Sequence, residues 1–115
     1  MQEIVLVLLC FLLGSIPFSY IFSRLWGGVD IRAQGTGNVG ATNVLRTLGI
    51  KVALASLTGD IFKGLVAAWL GMHFGGVSLA AACGAAAMAG HCWPVFLRFR
   101  GGKGVATGAG VVIYL

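Results

Sequence analysis

Long apolar segments alternate with short polar ones along the chain. Three apolar runs cover residues 4–22, 52–72 and 77–97, and a shorter one extends from 105 to 115. At ~1.5 Å per helical residue, each of the first three is long enough to cross a hydrocarbon layer about 30 Å thick. The fourth is too short to do so. The pattern predicts an all-α, polytopic membrane helix bundle with three full transmembrane helices and the start of a fourth.

Glycine and proline residues interrupt or separate these runs. The first run contains the sequence Gly14-Ser15-Ile16-Pro17, which predicts a break within the helix because proline lacks an N–H donor. Residues 72–76 predict the turn between the second and third runs. The polar connection 27–49 is rich in glycine, and a short helix is expected to begin near residues 40–42. The alanine-rich and glycine-rich stretch 80–90 predicts close contact between helices.

Composition supports a membrane protein and argues against a soluble one. The chain is 58% hydrophobic and only 10% charged, and its mean hydropathy is +0.96. Its net charge of +5 does not indicate nucleic-acid binding, because the basic residues follow the polar connections instead of forming one soluble face. Seven of the eight lysines and arginines lie either between the first and second apolar runs, in residues 23–51, or after the third run, in residues 98–104. By the positive-inside rule, both glycine-rich connections are expected in the cytoplasm and the N-terminus outside.

The cysteines do not predict a metal site or a disulfide framework. Cys10, Cys83 and Cys92 are scattered through apolar sequence without paired spacing, and we interpret them as small buried side chains. No zinc site is expected from them.

The first glycine-rich loop has the composition of an anion site. Its G-x-G-x-x-G spacing resembles a dinucleotide fingerprint only weakly, because no strand precedes it. A flexible turn that runs into a helix start can still direct N–H groups, hydroxyls, amides and a guanidinium at one anion. A plain flexible linker is the alternative. The candidate residues are Gly35, Thr36, Gly37, Asn38, Gly40, Thr42, Asn43 and Arg46.

A second glycine-rich loop places a lysine between glycines just before a predicted helix at Val105. It lacks the Walker A pattern, but Lys103 can bind a phosphate as a point charge on an unobstructed backbone. Attraction to anionic lipid headgroups is the alternative, above all for Arg98 and Arg100. The candidate residues of this loop are Gly101, Gly102, Lys103 and Gly104.

Three ionisable residues fall inside predicted membrane helices. Asp60 and Lys63 lie three residues apart, on one helix face, and His91 precedes Pro94. Measured from the flanking basic residues, Pro17, Asp60 and His91 have similar depths of about 10 to 13 Å. We therefore expect a polar cavity at one level, with Lys63 and His91 as candidate substrate-binding residues. A structural ion pair and a packed histidine are the alternatives.

Taken in order, these motifs resemble one family. The segments Gly14–Tyr20, Gly35–Arg46, Asp60–Gly64 and Gly90–Phe96, followed by the sequence GGKGVAT, are similar to the bacterial acyl-phosphate:glycerol-3-phosphate acyltransferases of the PlsY type. The resemblance covers essentially the whole chain and about the N-terminal three-fifths of a typical member. It implies one transmembrane acyltransferase domain over residues 1–115, incomplete at its C-terminus.

The resemblance also implies an activity. Members transfer a fatty acyl group from acyl phosphate to the sn-1 hydroxyl of glycerol 3-phosphate in the bacterial inner membrane, among membrane lipids and without a metal or other cofactor. It implies that Arg46 and the first loop are needed for activity and that the second loop, centred on Lys103, holds glycerol 3-phosphate. We accordingly expect catalytic roles for Thr36, Asn38, Asn43 and Arg46. We expect substrate binding by the glycines of both loops and by Thr42, Lys63, His91 and Lys103.

Two departures from the family pattern stand out. Thr36 occupies a position where members usually have serine, and the hydroxyl is retained. A third family motif with a histidine and an asparagine has no counterpart here, and His91 is not assigned to its role. No general base is identified.

Two other classes remain open. A fragment of a transporter or channel for an anionic solute would also combine broken helices with intramembrane charges. An assembly subunit held together by small-residue faces would tolerate bulkier residues in the second loop.

Overall fold

The computed structural model describes residues 2–35, 40–93 and 105–115, which form helices and turns and contain no strand. The prediction of an all-helical protein is confirmed for these residues. The elements in order are α1 (Gln2–Gly14), α2 (Phe18–Phe22), a π-helical turn (Ser23–Gly27), a 3-10 turn (Ile31–Ala33), α3 (Ala41–Leu48), α4 (Ile50–Cys92) and α5 (Val105–Tyr114).

The predicted break in the first apolar run lies between α1 and α2. Residues 15–17 are not helical, and Pro17 cannot donate a backbone hydrogen bond. The Ser15 hydroxyl donates to the carbonyl of Phe11 at 2.9 Å and occupies one of the acceptors at the end of α1. The chain then resumes as α2 and the π-helical turn, and the region Gln2–Gly27 contains an 18-residue stretch with a mean hydropathy of 2.5.

The element α4 is a helical hairpin. Its 43 residues would measure about 65 Å as one straight helix, yet the longest dimension of the molecule is 41 Å. The chain reverses at Gly76, where φ is +79°, a value in the left-handed region that favours glycine. We call residues 50–75 the first arm and residues 77–92 the second arm. The turn predicted at 72–76 is confirmed.

Glycines allow the helices to touch backbone to backbone. A Cβ atom on Gly14 would collide with the Ala87 carbonyl of the second arm, and one on Gly90 would collide with the carbonyl of Phe11 in α1. Similarly, a Cβ atom on Gly64 of the first arm would collide with the Thr107 carbonyl of α5. The second arm thus packs on α1, and the first arm packs on α5, through small residues as in membrane helix pairs.

The outside of the bundle is apolar. The large apolar side chains of Ile4 in α1 and Phe62 in α4 are 61% and 62% exposed. Trp26 is also 62% exposed and stacks on Phe22. The regions Gln2–Gly27 and Ile50–Cys92 are long and apolar enough to cross a membrane. The fold therefore has the inside-out distribution of a protein that lies in lipid, with polar groups in its interior.

Candidate functional site

A buried cluster of charged groups lies inside the bundle. The Lys63 Nζ atom is 3.2 Å from the Asp60 Oδ1 atom, and the two side chains are only 1% and 2% exposed. Both belong to the first arm of α4, one helical turn apart, as their spacing of three residues predicted. The cluster is completed by His91 from the second arm, whose Nδ1 atom is 3.7 Å from the same carboxylate oxygen.

Lys63 also holds the break between α1 and α2. Its Nζ atom donates a hydrogen bond of 2.9 Å to the carbonyl oxygen of Ile16, 47 residues earlier in the chain. This carbonyl directly precedes Pro17, in the segment where regular helical bonding stops. The same oxygen accepts from the Phe18 backbone N–H at 3.2 Å, and the ammonium group adds a strong, charged donor to it. The expectation that Pro17, Asp60 and His91 lie at one level is confirmed by these contacts.

Asn43 holds the segment that leads to the first glycine-rich loop. It is buried in α3, and its Nδ2 atom donates to the carbonyl oxygens of Gln34 at 2.9 Å and Ile31 at 3.3 Å. Gly35, which follows Gln34 in the chain, has a φ of +52°, and a Cβ atom on it would collide with the Asn43 Oδ1 atom. The Asn43 amide nitrogen is therefore engaged with the backbone on the approach to the loop.

A second ion pair lies outside the apolar segments. The Arg32 guanidinium donates to both carboxylate oxygens of Asp30, at 3.0 and 2.8 Å, and the Asp30 side chain also accepts from the Arg32 backbone N–H. The guanidinium lies 4.9 Å from the centre of the Tyr20 ring. These hydrogen bonds from Arg32 lower the pKa of the Asp30 carboxyl below its usual value.

The remaining predicted site residues divide into two groups. Thr42 and Arg46 are exposed on α3, and Gly40 forms the N-cap of that helix. The helix predicted to begin near residues 40–42 is thus confirmed. Thr36, Gly37, Asn38 and the second loop, Gly101, Gly102, Lys103 and Gly104, lie outside the described residues, as do Pro94, Arg98 and Arg100. The helix after the second loop begins at Val105, as predicted.

Three buried hydroxyl groups were not identified as candidates from the sequence. Ser19, Ser23 and Thr107 are at most 1% exposed, and their hydroxyl oxygens have no hydrogen-bond partner among the described residues. The spacing of four residues between Ser19 and Ser23, both in the helical stretch 18–27, places them on one face and was the available signal for these two. Such groups add to the polar interior of the bundle.

The described residues contain no group of three histidine, cysteine, aspartate or glutamate side chains placed to hold a metal ion. Cys10 and Cys83 are fully buried among apolar side chains, whereas Cys92 is half-buried.

The fold and the buried cluster together define a helical membrane protein with an ionisable centre where its first apolar segment breaks. A family model described as glycerol-3-phosphate acyltransferase matches residues 4–115. The chain belongs to the glycerol-3-phosphate acyltransferase family.

Two curated relatives illustrate the match. The glycerol-3-phosphate acyltransferase of Syntrophomonas wolfei subsp. wolfei is 56% identical over 115 residues, which is 100% of this chain and 59% of the relative. That of Desulforudis audaxviator is 53% identical over 112 residues, covering 97% of this chain and 57% of the relative. The chain thus spans less than two thirds of the length of the curated relatives that it matches.

Solved structures agree with this assignment. The crystal structure of PlsY (YgiH), an integral membrane glycerol 3-phosphate acyltransferase in its glycerol 3-phosphate form, matches with a TM-score of 0.92 and 42% identity. The match covers 99% of this chain and 57% of that one. The lysophosphatidic acid form matches with a TM-score of 0.90 and 41% identity.

Proposed function

We propose that this protein transfers a fatty acyl group from acyl phosphate to the sn-1 hydroxyl of glycerol 3-phosphate, giving lysophosphatidic acid and phosphate. The observation that carries the proposal is the match of nearly the whole chain to an acyltransferase structure in its glycerol 3-phosphate form, at 42% identity. The buried ionisable cluster inside an apolar bundle supports it, because ionisable groups within membrane helices generally mark functional sites.

The proposed chemistry needs positioning and charge more than a cofactor. The glycerol hydroxyl oxygen attacks the acyl carbonyl carbon, an ester bond forms, and the bond from that carbon to the phosphate oxygen breaks. The hydroxyl proton passes to a phosphate oxygen. Acyl phosphate is already activated, so donors that stabilise the developing negative charge and align the two substrates supply the acceleration.

The two loops are assigned to the two substrates. Lys103 with Gly101, Gly102 and Gly104 holds the phosphate of glycerol 3-phosphate. Thr36, Asn38, Asn43 and Arg46 stabilise the reacting phosphate and carbonyl together with Thr42 and the glycines of the first loop. The substrate-binding roles predicted for Lys63 and His91 stay predictions. Partners are the two substrates and the surrounding lipids, and no nucleic acid is expected.

The proposed topology follows from the positive-inside rule. Three spans and the beginning of a fourth lie in the bacterial inner membrane, with the N-terminus outside and both glycine-rich loops in the cytoplasm. Both ends of the α4 hairpin then lie on the side where glycerol 3-phosphate is available.

Acyl transfer can be measured in membranes that contain the complete gene product, with labelled glycerol 3-phosphate and a defined acyl phosphate. We expect lysophosphatidic acid to form, and we expect Lys103→Ala to raise the apparent KM for glycerol 3-phosphate about ten-fold or more, because a charge-assisted contact is lost. Lys51→Ala, which removes an exposed lysine at the start of α4, is the matched control and should leave KM unchanged.

The outcomes separate the competing functions. Solute flux into liposomes without acyl transfer would show that the protein is a transporter and would contradict the proposed enzymatic function. Acyl transfer with an unchanged KM in Lys103→Ala would remove only the assignment of the second loop.

A further inference from the structure

Lys63 fixes the start of α2 against the first arm. The Ile16 carbonyl that its ammonium binds also accepts from the backbone N–H of Phe18, the first residue of α2. The Lys63 Nζ atom lies 5.7 Å from the centre of the Phe18 ring. A Cβ atom on Gly59, one turn earlier on the first arm, would lie 2.6 Å from the same ring. The beginning of α2 is therefore held by one charged contact and one tight apolar contact.

Asp60 provides the counter-charge of this contact. Its Oδ1 atom is 3.2 Å from the Lys63 Nζ atom, and the two side chains are only 2% and 1% exposed. A buried ammonium without a counter-charge is strongly unfavourable, whereas a buried ion pair is weak evidence for stability as its only role. Ionisable residues at membrane depth generally mark functional centres. The ion pair therefore points to a function that depends on the position of α2.

α2 and the π-helical turn that continues it support α3. Tyr20 of α2 packs against the buried cluster that contains Val44 of α3 and Ala53 of the first arm. A Cβ atom on Gly27, at the end of the π-helical turn, would lie 2.7 Å from the Leu48 side chain of α3. Helices of five and eight residues are too short to be stable alone. The positions of α2 and α3 are therefore set by these contacts.

α3 carries Arg46 on its exposed side. Asn43 and Val44 are buried on the opposite side of the helix, and Arg46 follows Val44 by two residues. A shift of the buried side of α3 consequently moves the Arg46 guanidinium. Displacement of a catalytic group by about 1 Å can lower a rate by about 10²-fold. The buried ion pair is thus connected to Arg46 through α2 and α3.

We propose that Lys63 is a positioning residue of the acyl-transfer site, which fixes α2 to the first arm and, through α2, fixes α3 and the Arg46 guanidinium. The inference rests on the proposed function, in which Arg46 stabilises the reacting phosphate and carbonyl. In this role Lys63 acts through the Ile16 carbonyl and does not touch substrate. Its loss should lower kcat at an unchanged KM for glycerol 3-phosphate, because the affected interaction is made in the transition state.

The first test compares two glycine substitutions on the first arm, in membranes that contain the complete gene product. In Gly59→Ala the new methyl group meets the Phe18 ring at 2.6 Å, whereas in Gly71→Ala it meets the Ala80 backbone at 2.5 Å, about 18 Å further along the helix. Both variants should have a lower melting temperature than wild type. We expect only Gly59→Ala to lower kcat, by about ten-fold or more, without a change in KM.

The second test removes the ion pair itself. Asp60→Asn combined with Lys63→Met leaves no unpaired buried charge and should be recovered folded. We expect the same loss of kcat, and faster hydrogen exchange at the backbone amides of α2 and α3 than in wild type or Gly71→Ala. Each variant is also combined with Arg46→Ala. If Lys63 acts through Arg46, the combined loss of kcat is smaller than the product of the separate losses.

The two tests cover each other if one of the variants does not fold. Equal kcat in Gly59→Ala and Gly71→Ala, or losses that multiply fully with that of Arg46→Ala, would overturn the positioning role. A higher KM with an unchanged kcat in the ion-pair variant would overturn it in favour of direct substrate binding by Lys63. Absence of acyl transfer in the wild type would instead overturn the proposed function, and with it this inference.

Discussion

Lys63 and Asn43 perform the same task in two regions of the molecule, and they do so with different chemistry. Each donates to backbone carbonyls that lie outside regular helix: Lys63 to Ile16 at the helix break, and Asn43 to Ile31 and Gln34 on the approach to the first loop. The amide of Asn43 is neutral, whereas the ammonium of Lys63 requires a counter-charge. Inside the bundle, that counter-charge is Asp60.

The comparison shows how the choice of donor determines what else must be buried. A neutral donor satisfies its acceptors and leaves no charge behind. A charged donor forms a stronger hydrogen bond, but its partner carboxylate becomes an uncompensated charge when the donor is lost. The two regions should therefore respond very differently to removal of the donor.

The largest effect is expected for Lys63→Met, which retains much of the side-chain volume. It leaves Asp60 without its cation and should lower the free energy of unfolding by about 3–5 kcal/mol. Thermal unfolding in detergent is the measurement, and Lys51→Met at an exposed position is the control. A melting temperature equal to that of the control would show that the buried charge is not coupled to the fold.

A smaller effect is expected for Asn43→Ala. Loss of its hydrogen bonds to the two carbonyls should cost about 1–3 kcal/mol, without any stranded charge. Thr42→Ala, on the exposed side of the same helix, should change the melting temperature by less. If Asn43→Ala is as destabilising as Lys63→Met, the distinction between the neutral and charged donors fails.

The smallest effect is expected at the partly exposed pair Asp30–Arg32. Because Arg32 lowers the pKa of Asp30, the pair stabilises the fold above the usual pKa of 3.8, and this contribution is lost as the pH falls through the lowered value. Asp30→Asn should cost less than about 1 kcal/mol at neutral pH, since exposed pairs are weak. The difference in melting temperature from wild type should shrink below pH 3.8. A difference in melting temperature that is constant with pH would show that Asp30 acts only through its hydrogen bond to the Arg32 backbone N–H and not through the ion pair.

Much of this architecture was accessible from the sequence because its signals are local. Pro17 predicted the break, glycines predicted the reversal of α4, and the spacing of Asp60 and Lys63 predicted their contact. The similar depths of Pro17, Asp60 and His91 also predicted one polar level, which the contacts confirm.

Other features depend on tertiary arrangement and have no local signature. The acceptor of Lys63 is a backbone carbonyl 47 residues away, and no side-chain pattern identifies such a partner. The role of Asn43 at the anion stays a prediction, and the acceptors of its amide nitrogen, Gln34 and Ile31, nine and twelve residues earlier, could not be read from the sequence. The π-helical turn Ser23–Gly27 was also not predicted, because it differs from an α-helix only in the spacing of its hydrogen bonds.

The reversal at Gly76 has a consequence for the buried centre of the molecule. Because the backbone adopts a φ of +79° there, the second arm returns along the first, and His91 comes back to the level of Asp60. A residue without a side chain thus determines that two ionisable groups far apart in the sequence meet inside the bundle. Along one continuous straight helix the same two residues would be about 46 Å apart.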